Sequence, residues 1–324
     1  MTTVSDQLYW GGGVPVIASG QFPIGNTKGN YFFVDGTNGS DGNTGLNPSN
    51  ALKTIQKAFT NNSKQPNLMC MVLPKAITDM TGDPTSYAET VVIDAPSSAL
   101  IGVSRGRTQG GLPQLKAGSG STPQITVSAP GCLITGMGIN GVGATGGGVL
   151  LNDDNSTVSA FGTTIIGCHF KNCVGSTATN AATGGAIMWT AAGNAWQILI
   201  KGNRFYKNVG DVVLKGTSNT VPQDVVIEDN EFSGPAASVD CNLYLAGGSG
   251  INGVIIRRNS FPCWPAIGSG TNVMPVDLTG CVGTLEFNTF GSTGKTFGAA
   301  ANALVPTTVL MSGNYQESGL IART

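Results

Sequence analysis

The sequence predicts an all-β fold, a right-handed single-stranded parallel β-helix, and three observations predict it. First, a phrase recurs: Ile198-x-Ile200-x-x-Asn203-x-Phe205, then Val225-x-Ile227-x-x-Asn230-x-Phe232, then Val254-x-Ile256-x-x-Asn259-x-Phe261. A reduced copy is Leu285-x-x-Asn288-x-Phe290, and weaker ones are Ile134…Ile139, Ile165…Cys168-x-Phe170 and Leu310…Tyr315. The closing positions 139, 170, 205, 232, 261, 290 and 315 lie 31, 35, 27, 29, 29 and 25 residues apart, the mark of a solenoid with variable insertions. Second, apolar residues alternate at i, i+2, the strand period. Third, a second short apolar run separates the phrases, as in Val149-Leu150-Leu151, Ile187-Met188-Trp189, Val212-Val213-Leu214, Leu243-Tyr244-Leu245 and Val276-Asp277-Leu278. Each coil thus carries at least two short strands, reached by a full turn of chain, so successive coils pair in parallel. A sandwich or propeller would show hairpins about every ten residues instead.

Taken in chain order, residues 1–30 form an extended N-terminal arm. The stretch Leu8-Tyr9-Trp10-Gly11-Gly12-Gly13-Val14-Pro15-Val16-Ile17 is apolar and glycine-rich without periodicity, and cannot build a core of its own. Tyr9, Trp10, Val14, Pro15 and Val16 are the candidate anchors onto a larger assembly, because exposed aromatics suit a contact better than a free tail. The opening Met1-Thr2-Thr3-Val4-Ser5-Asp6-Gln7 has neither a basic nor an apolar leader region, so no secretory signal peptide is expected there.

Residues 31–324 form the β-helix. Tyr31-Phe32-Phe33-Val34 reads as a strand, and the Asp35–Gly45 stretch as an Asp/Asn/Gly turn that lacks the glutamate spacing of a calcium loop. Near 50–60 comes a short amphipathic helix with Leu52, Ile55 and Phe59 on one side and Lys53 and Lys57 away from it, N-capped by Ser49 or Asn50. An open β-helix end exposes unpaired backbone, and this helix is its lid. Within a coil, positions such as 225, 227, 230 and 232 face inward, 226, 228 and 231 face outward, and 229 sits at the bend. Asn203, Asn230, Asn259 and Asn288 then stack as an amide ladder, which offsets their lost hydration. Phe170, Phe205, Phe232, Phe261, Phe290 and Tyr315 stack as an aromatic column.

Composition agrees. Glycine at 48 of 324 residues, without a collagen triplet, suits a chain that turns several times per coil. A net charge of −1 offers no basic surface for nucleic acid, and no apolar run approaches the roughly 18 residues of a membrane span. The seven cysteines, at 70, 132, 168, 173, 241, 263 and 281, form no CxxC and read as buried free thiols rather than as disulfides or metal ligands. No cofactor is expected.

The run Tyr31-Phe32-Phe33-Val34-Asp35-Gly36…Gly39-Ser40-Asp41-Gly42-Asn43…Thr54-Ile55-Gln56-Lys57-Ala58, followed by Tyr87-Ala88-Glu89-Thr90-Val91-Val92-Ile93 and Leu100-Ile101-Gly102-Val103, resembles the opening of pectate-lyase-like right-handed β-helix proteins. The resemblance covers about residues 31–319. The preceding arm resembles the starts of β-helix proteins encoded by tailed bacteriophages. That family holds polysaccharide lyases and hydrolases, phage tailspikes and virion fibres, so the resemblance implies a fold and leaves the activity to be argued from a site.

No catalytic residue is assigned. Asp153-Asp154 sits in a turn-like stretch without the Gly-His-Gly of polygalacturonase-type hydrolysis, and the single histidine, His169, is expected on the surface beside Arg204, Glu231, Ser260 and Thr289. Asp211, Asp240 and Asp277 with Arg257 and Arg258 do not reproduce the arginine motif of pectate lyases. Glu228 and Glu286, two coils apart, would place carboxylates about 9.6 Å apart, a spacing that glycoside hydrolysis can use but any charged column supplies. Trp189, Trp196 and Trp264 are candidate contacts between subunits or with glycan. Two functions follow from these readings. One is a bacteriophage virion protein (fibre, spike or capsid decoration) assembled in the host cytoplasm, trimeric, joined to other virion proteins through residues 1–30 and able to bind host-surface polysaccharide. The alternative is a polysaccharide lyase or hydrolase, which demands a groove of paired carboxylates on one coil face.

Overall fold

A computed structural model describes residues 7–9, 15–17, 31–75, 85–104, 111–116, 118, 120–154, 156–175, 184–189, 196–214, 222–233, 241–246, 250–261, 274–291, 305–316 and 319–321. The chain is a parallel β-helix with three sheets, in keeping with the repeat's requirement of at least two strands per coil. The first sheet has ten strands running in register from Tyr31–Val34 through Thr164–Ile166, Leu199–Lys201 and Val226–Glu228 to Val309–Ser312. The second has nine, from Gln114–Leu115 to Gly319–Leu320, of which the last alone pairs antiparallel. The third has seven, from Val91–Ile93 to Met274–Asp277, and contains the run between the phrases.

The phrase splits in two because its bend residue is left-handed. Gly136, Gly167, Gly202, Asp229, Arg258, Phe287 and Gly313 occupy this bend with φ between 53° and 66°. Glycine adopts that region without cost, whereas a residue with a Cβ is strained there. At Asp229 and Arg258 the strain is offset by a bidentate pair, Arg258 Nε to Asp229 Oδ1 at 2.7 Å and Nη2 to Oδ2 at 3.1 Å.

The interior follows the expected inward positions. Val225, Ile227, Asn230 and Phe232 are all buried. Phe170, Phe205, Phe232, Phe261 and Phe290 stack with ring centroids 4.7–5.1 Å apart and planes within 13°. Tyr315 does not join them. It directly follows Asn314, so the period of two turns it outward; it lies 53% exposed and Gln316 takes the register of Phe290. The amide ladder runs Asn203, Asn230, Asn259, Asn288 and Asn314, each Nδ2 reaching the next Oδ1 at 2.9–3.1 Å. Cys168 stands at its head, donating its N–H to Asn203 Oδ1 at 2.9 Å. Cys70, Cys132, Cys168, Cys173 and Cys281 are free and buried, and burial pushes the Cys132, Cys168 and Cys173 thiols up to about 12.

The lid helix spans Ile55–Asn62 and buries Ile55, Ala58 and Phe59 against the first coils. Its cap differs from the sequence expectation. Ser49 and Asn50 belong to a separate 3-10 turn, Pro48–Asn50, and Thr54 at the cap position makes no side-chain capping bond. Long-range carboxylates replace it: Glu89 accepts from Ile55 N and Gln56 N, both at 2.9 Å, and Asp41 Oδ1 accepts from Lys53 N and Thr54 N at 2.9 Å. Burial raises the Glu89 pKa above its ordinary value, and the two helix N–H bonds oppose that rise. Tyr87 completes the junction, its hydroxyl donating to Leu73 O and accepting from Gly36 N. Asp41, Tyr87 and Glu89 therefore do architectural work.

Candidate functional site

A second left-handed column forms the turn that leads from the third sheet into the first. Ser97, Gly131, Gly162, Gln197 and Asp224 have φ between 53° and 69°. Their N–H groups reach one coil onward, Ser97 N to Pro130 O at 2.9 Å, Gly131 N to Phe161 O at 2.7 Å, Gly162 N to Trp196 O at 2.8 Å and Gln197 N to Gln223 O at 2.9 Å. Pro96, Pro130, Phe161 and Trp196 are thereby held in register on four successive coils. Phe161 is 37% exposed and Trp196 40%, whereas the stacked phenylalanines Phe170, Phe205, Phe232, Phe261 and Phe290 are buried. At about 4.8 Å per coil the four make an apolar stripe about 14 Å long, parallel to the solenoid axis.

Beside the stripe runs a polar shelf. Asp94, Ser128 and Asn152 each follow a third-sheet strand in equivalent register, Ser128 N donating to Ile93 O and Asn152 N to Val127 O, both at 2.8 Å. Asn152 Nδ2 donates to Ser128 Oγ at 3.1 Å. The wall beyond is built by Asp153 and by Ser156, Thr157, Val158 and Ser159. Asp154 accepts from the N–H groups of Ser156, Thr157 and Val158 and from the Thr157 hydroxyl, and these bonds hold its pKa well below the usual carboxylate range. Asp153 is buried and accepts from Ser159 Oγ at 3.0 Å and Ala160 N at 3.3 Å. Shelf, stripe and wall enclose a groove of about 560 Å³ lined by Asp94, Pro96, Ser128–Pro130, Asp153, Ser156–Ser159, Phe161 and Trp196. Apolar rings on one side with hydroxyls and carboxylates on the other suit a ligand having both C–H faces and many hydroxyls, since each wall then meets its own kind of surface.

No family model matches the chain, and no curated protein does. It is similar to solved structures. Two of a GH136 lacto-N-biosidase from Eubacterium ramulus, the selenomethionine derivative and the native protein, align at TM-scores of 0.31 and 0.30 with 11% and 10% identity. The alignments cover 89% and 88% of this chain and 67% of each of those chains.

The structure disperses the other residues singled out in the sequence. Trp189 belongs to the core, 8% exposed, while Trp264, Trp10 and Val14 lie outside the described residues. Tyr9, Pro15 and Val16 fall in an antiparallel pair, Gln7–Tyr9 with Pro15–Ile17, that forms a sheet of its own. His169 shares the predicted column with Arg204, Glu231, Ser260 and Thr289, but it is 4% exposed and so not a solvated residue. Glu228 is bound by Lys201 Nζ at 2.8 Å, Arg257 Nε at 2.7 Å and Arg258 Nη2 at 3.0 Å. Those cations overcome the effect of its burial and lower its pKa, so Glu228 is no proton donor for a partner such as Glu286. Asp211 is inside the solenoid, and Asp240 is outside the described residues. Among the described residues, no three or more His, Cys, Asp or Glu side chains gather to hold a metal ion.

Sequence reasoning found Trp196 but missed Phe161, Pro96 and Pro130. Their signal lay two positions ahead of the recurring phrase: Trp196 precedes Ile198 as Phe161 precedes Thr163, Pro130 precedes Cys132 and Pro96 precedes Ser98.

Proposed function

We propose that this chain is a glycan-binding β-helix that holds a polysaccharide along the groove beneath Phe161 and Trp196. One observation carries the reading: two half-exposed aromatics continue a proline stripe in register and border a groove of hydroxyls and carboxylates. Pyranose rings offer C–H faces to such a stripe and hydroxyls to such a shelf. The carboxylates already have structural work, Asp153 in its loop and Asp94 with Lys64 Nζ at 3.2 Å, so binding rather than turnover is the function assigned. Native affinity electrophoresis against a panel of soluble polysaccharides tests it. Retarded migration of the wild type, lost in Trp196→Ala and Phe161→Ala, is the expected result. No retardation by any polymer, or retardation that both variants keep, overturns it.

The N-terminal pair favours a second, compatible reading. An isolated two-stranded hairpin is marginal in water and needs a surface to pack on. We propose that residues 1–30 dock the chain, as a trimer, onto a larger assembly such as a bacteriophage virion. Mass photometry of the full chain reads the trimer, and a monomeric mass at all concentrations contradicts it.

A further inference from the structure

We infer that the outer face of the first sheet joins copies of this chain, the apolar columns of three chains with parallel solenoid axes meeting along a threefold axis. The inference rests on the trimer reading and adds to it the surface that holds the trimer together. Its basis is the outward column of the ten-stranded sheet. Each inward core residue there is preceded by an outward one, and the pairing aligns these from Tyr31 through Leu133, Leu199, Val226 and Ile255 to Leu310. Every rung except Thr164 and Thr284 is apolar or aromatic. The outward column of the second sheet is instead polar, with His169, Arg204, Glu231, Ser260 and Thr289. Parallel strands that are apolar on both faces belong, as a rule, to a sheet covered on both. The core covers the inner face. On the outer face Leu133, Leu199, Val226 and Ile255 are only half-buried, and Leu310 at the last rung is 66% exposed.

Size, charge and direction point to copies of the same chain. Ten strands about 4.8 Å apart make a face about 43 Å long, and four residues make it about 13 Å wide. Two such faces offer about 1,100 Å² together, above the roughly 1,000 Å² that a stable interface clears. A straight column of constant pitch along the solenoid finds its match in an identical column, rung against rung. Beside Leu199, Val226 and Ile255 the next outward column carries Lys201, Glu228 and Arg257, and these close on one another, Lys201 Nζ to Glu228 Oε1 at 2.8 Å and Arg257 Nε to Glu228 Oε2 at 2.7 Å. A copy laid on the column at these rungs therefore meets paired charge, and a lone charge is what would oppose burial. Residues 1–30 lead into Tyr31, the first rung. Parallel axes bring all three arms to one end, where one assembly can receive them, whereas antiparallel chains would send them to opposite ends.

Mass photometry of the full chain reads the trimer, and cysteine crosslinking reads the face. On a threefold axis each outward residue lies beside its own copies, so Leu310→Cys and Ile255→Cys should each give a disulfide-linked dimer under mild oxidation. Thr289→Cys, exposed on the second sheet, should crosslink no more than the wild type with its own cysteines. Antiparallel chains would set Leu310 beside Tyr31 and leave Leu310→Cys at the wild-type level. Ile255→Glu, its fold confirmed by circular dichroism, should shift the mass from trimer to monomer, because three carboxylates then crowd one axis. A trimer in which Leu310→Cys and Ile255→Cys crosslink no more than the wild type, or which Ile255→Glu leaves intact, overturns this inference and leaves the trimer reading standing. A monomeric wild type overturns both.

Discussion

Asn230 Nδ2 donates to Asn259 Oδ1 at 3.0 Å, and the same oxygen also accepts from Asn230 N at 3.0 Å. Asn259 Nδ2 in turn reaches Ile227 O at 2.9 Å and Asn288 Oδ1 at 3.0 Å. Every polar atom of this buried amide is used, and its two neighbours depend on it. Asn259→Ala would strand Asn230 N inside the solenoid, where an unpaired polar group costs about 1–3 kcal/mol, and would take one partner each from Asn230 Nδ2 and Ile227 O. Denaturant unfolding should show a loss of about 2–4 kcal/mol. A loss within experimental error would show that the ladder is not cooperative.

The lid depends on Glu89, whose two oxygens hold Ile55 N and Gln56 N, while Gln56 Oε1 accepts from Val92 N at 2.7 Å. Glu89→Ala leaves the helix start without its acceptor and should cost about 1–3 kcal/mol. Hydrogen exchange reads it locally: amides of Ile55–Asn62 should lose protection first, before those of the Phe stack. Uniform loss along the chain contradicts a lid role.

Asp211 is buried, with Oδ1 accepting from Asn208 Nδ2 at 2.9 Å and Oδ2 from Asn242 Nδ2 at 2.7 Å. Burial pushes its pKa up to about 7, against the partial opposition of those two amides. The folded state therefore holds the proton more tightly than the unfolded chain, whose Asp titrates near the ordinary value of 3.8. Asp211's contribution to stability is complete below about pH 4 and is lost as pH rises toward about 7, at up to roughly 1.4 kcal/mol per pH unit. Asp211→Asn should flatten that fall in melts between pH 4 and 8. An unchanged pH profile in the variant contradicts the assignment.

Phe287 sits at φ 53° and is 58% exposed. Replacing it with glycine removes the strain of a bulky left-handed residue and loses little burial, so Phe287→Gly should stabilise by about 0.5–1 kcal/mol. Gly313→Ala should do the reverse, since a Cβ there meets the Phe287 ring at 2.5 Å. A lower melting temperature for Phe287→Gly would show that the ring packs to more effect than its exposure implies.

The repeated phrase made the solenoid, the amide ladder and most of the aromatic stack legible, because each is fixed by a local period of two and a coil length. What it could not show was how the chain meets itself at long range. Glu89 caps a helix 33 and 34 residues away, a pairing that the local capping signal at Ser49 and Asn50 does not contain. His169 and Glu228 alternate outward as read, yet stacked neighbours cover them, and alternation alone does not report what lies on the outer face. Trp189 aligns with Leu151 on the inward register of the third sheet, a placement visible only once that sheet is seen to be separate. The groove was half legible: Trp196 stood out as an aromatic, whereas the prolines and Phe161 acquire meaning only when the turn places them in register with it.

A crystal structure of the full chain soaked with a neutral oligosaccharide tests the central claim most directly. The account predicts sugar rings stacked along Pro130, Phe161 and Trp196 with hydroxyls on Asp94 and Ser128. Sugar bound at any other face of the solenoid, with this groove empty, would contradict it.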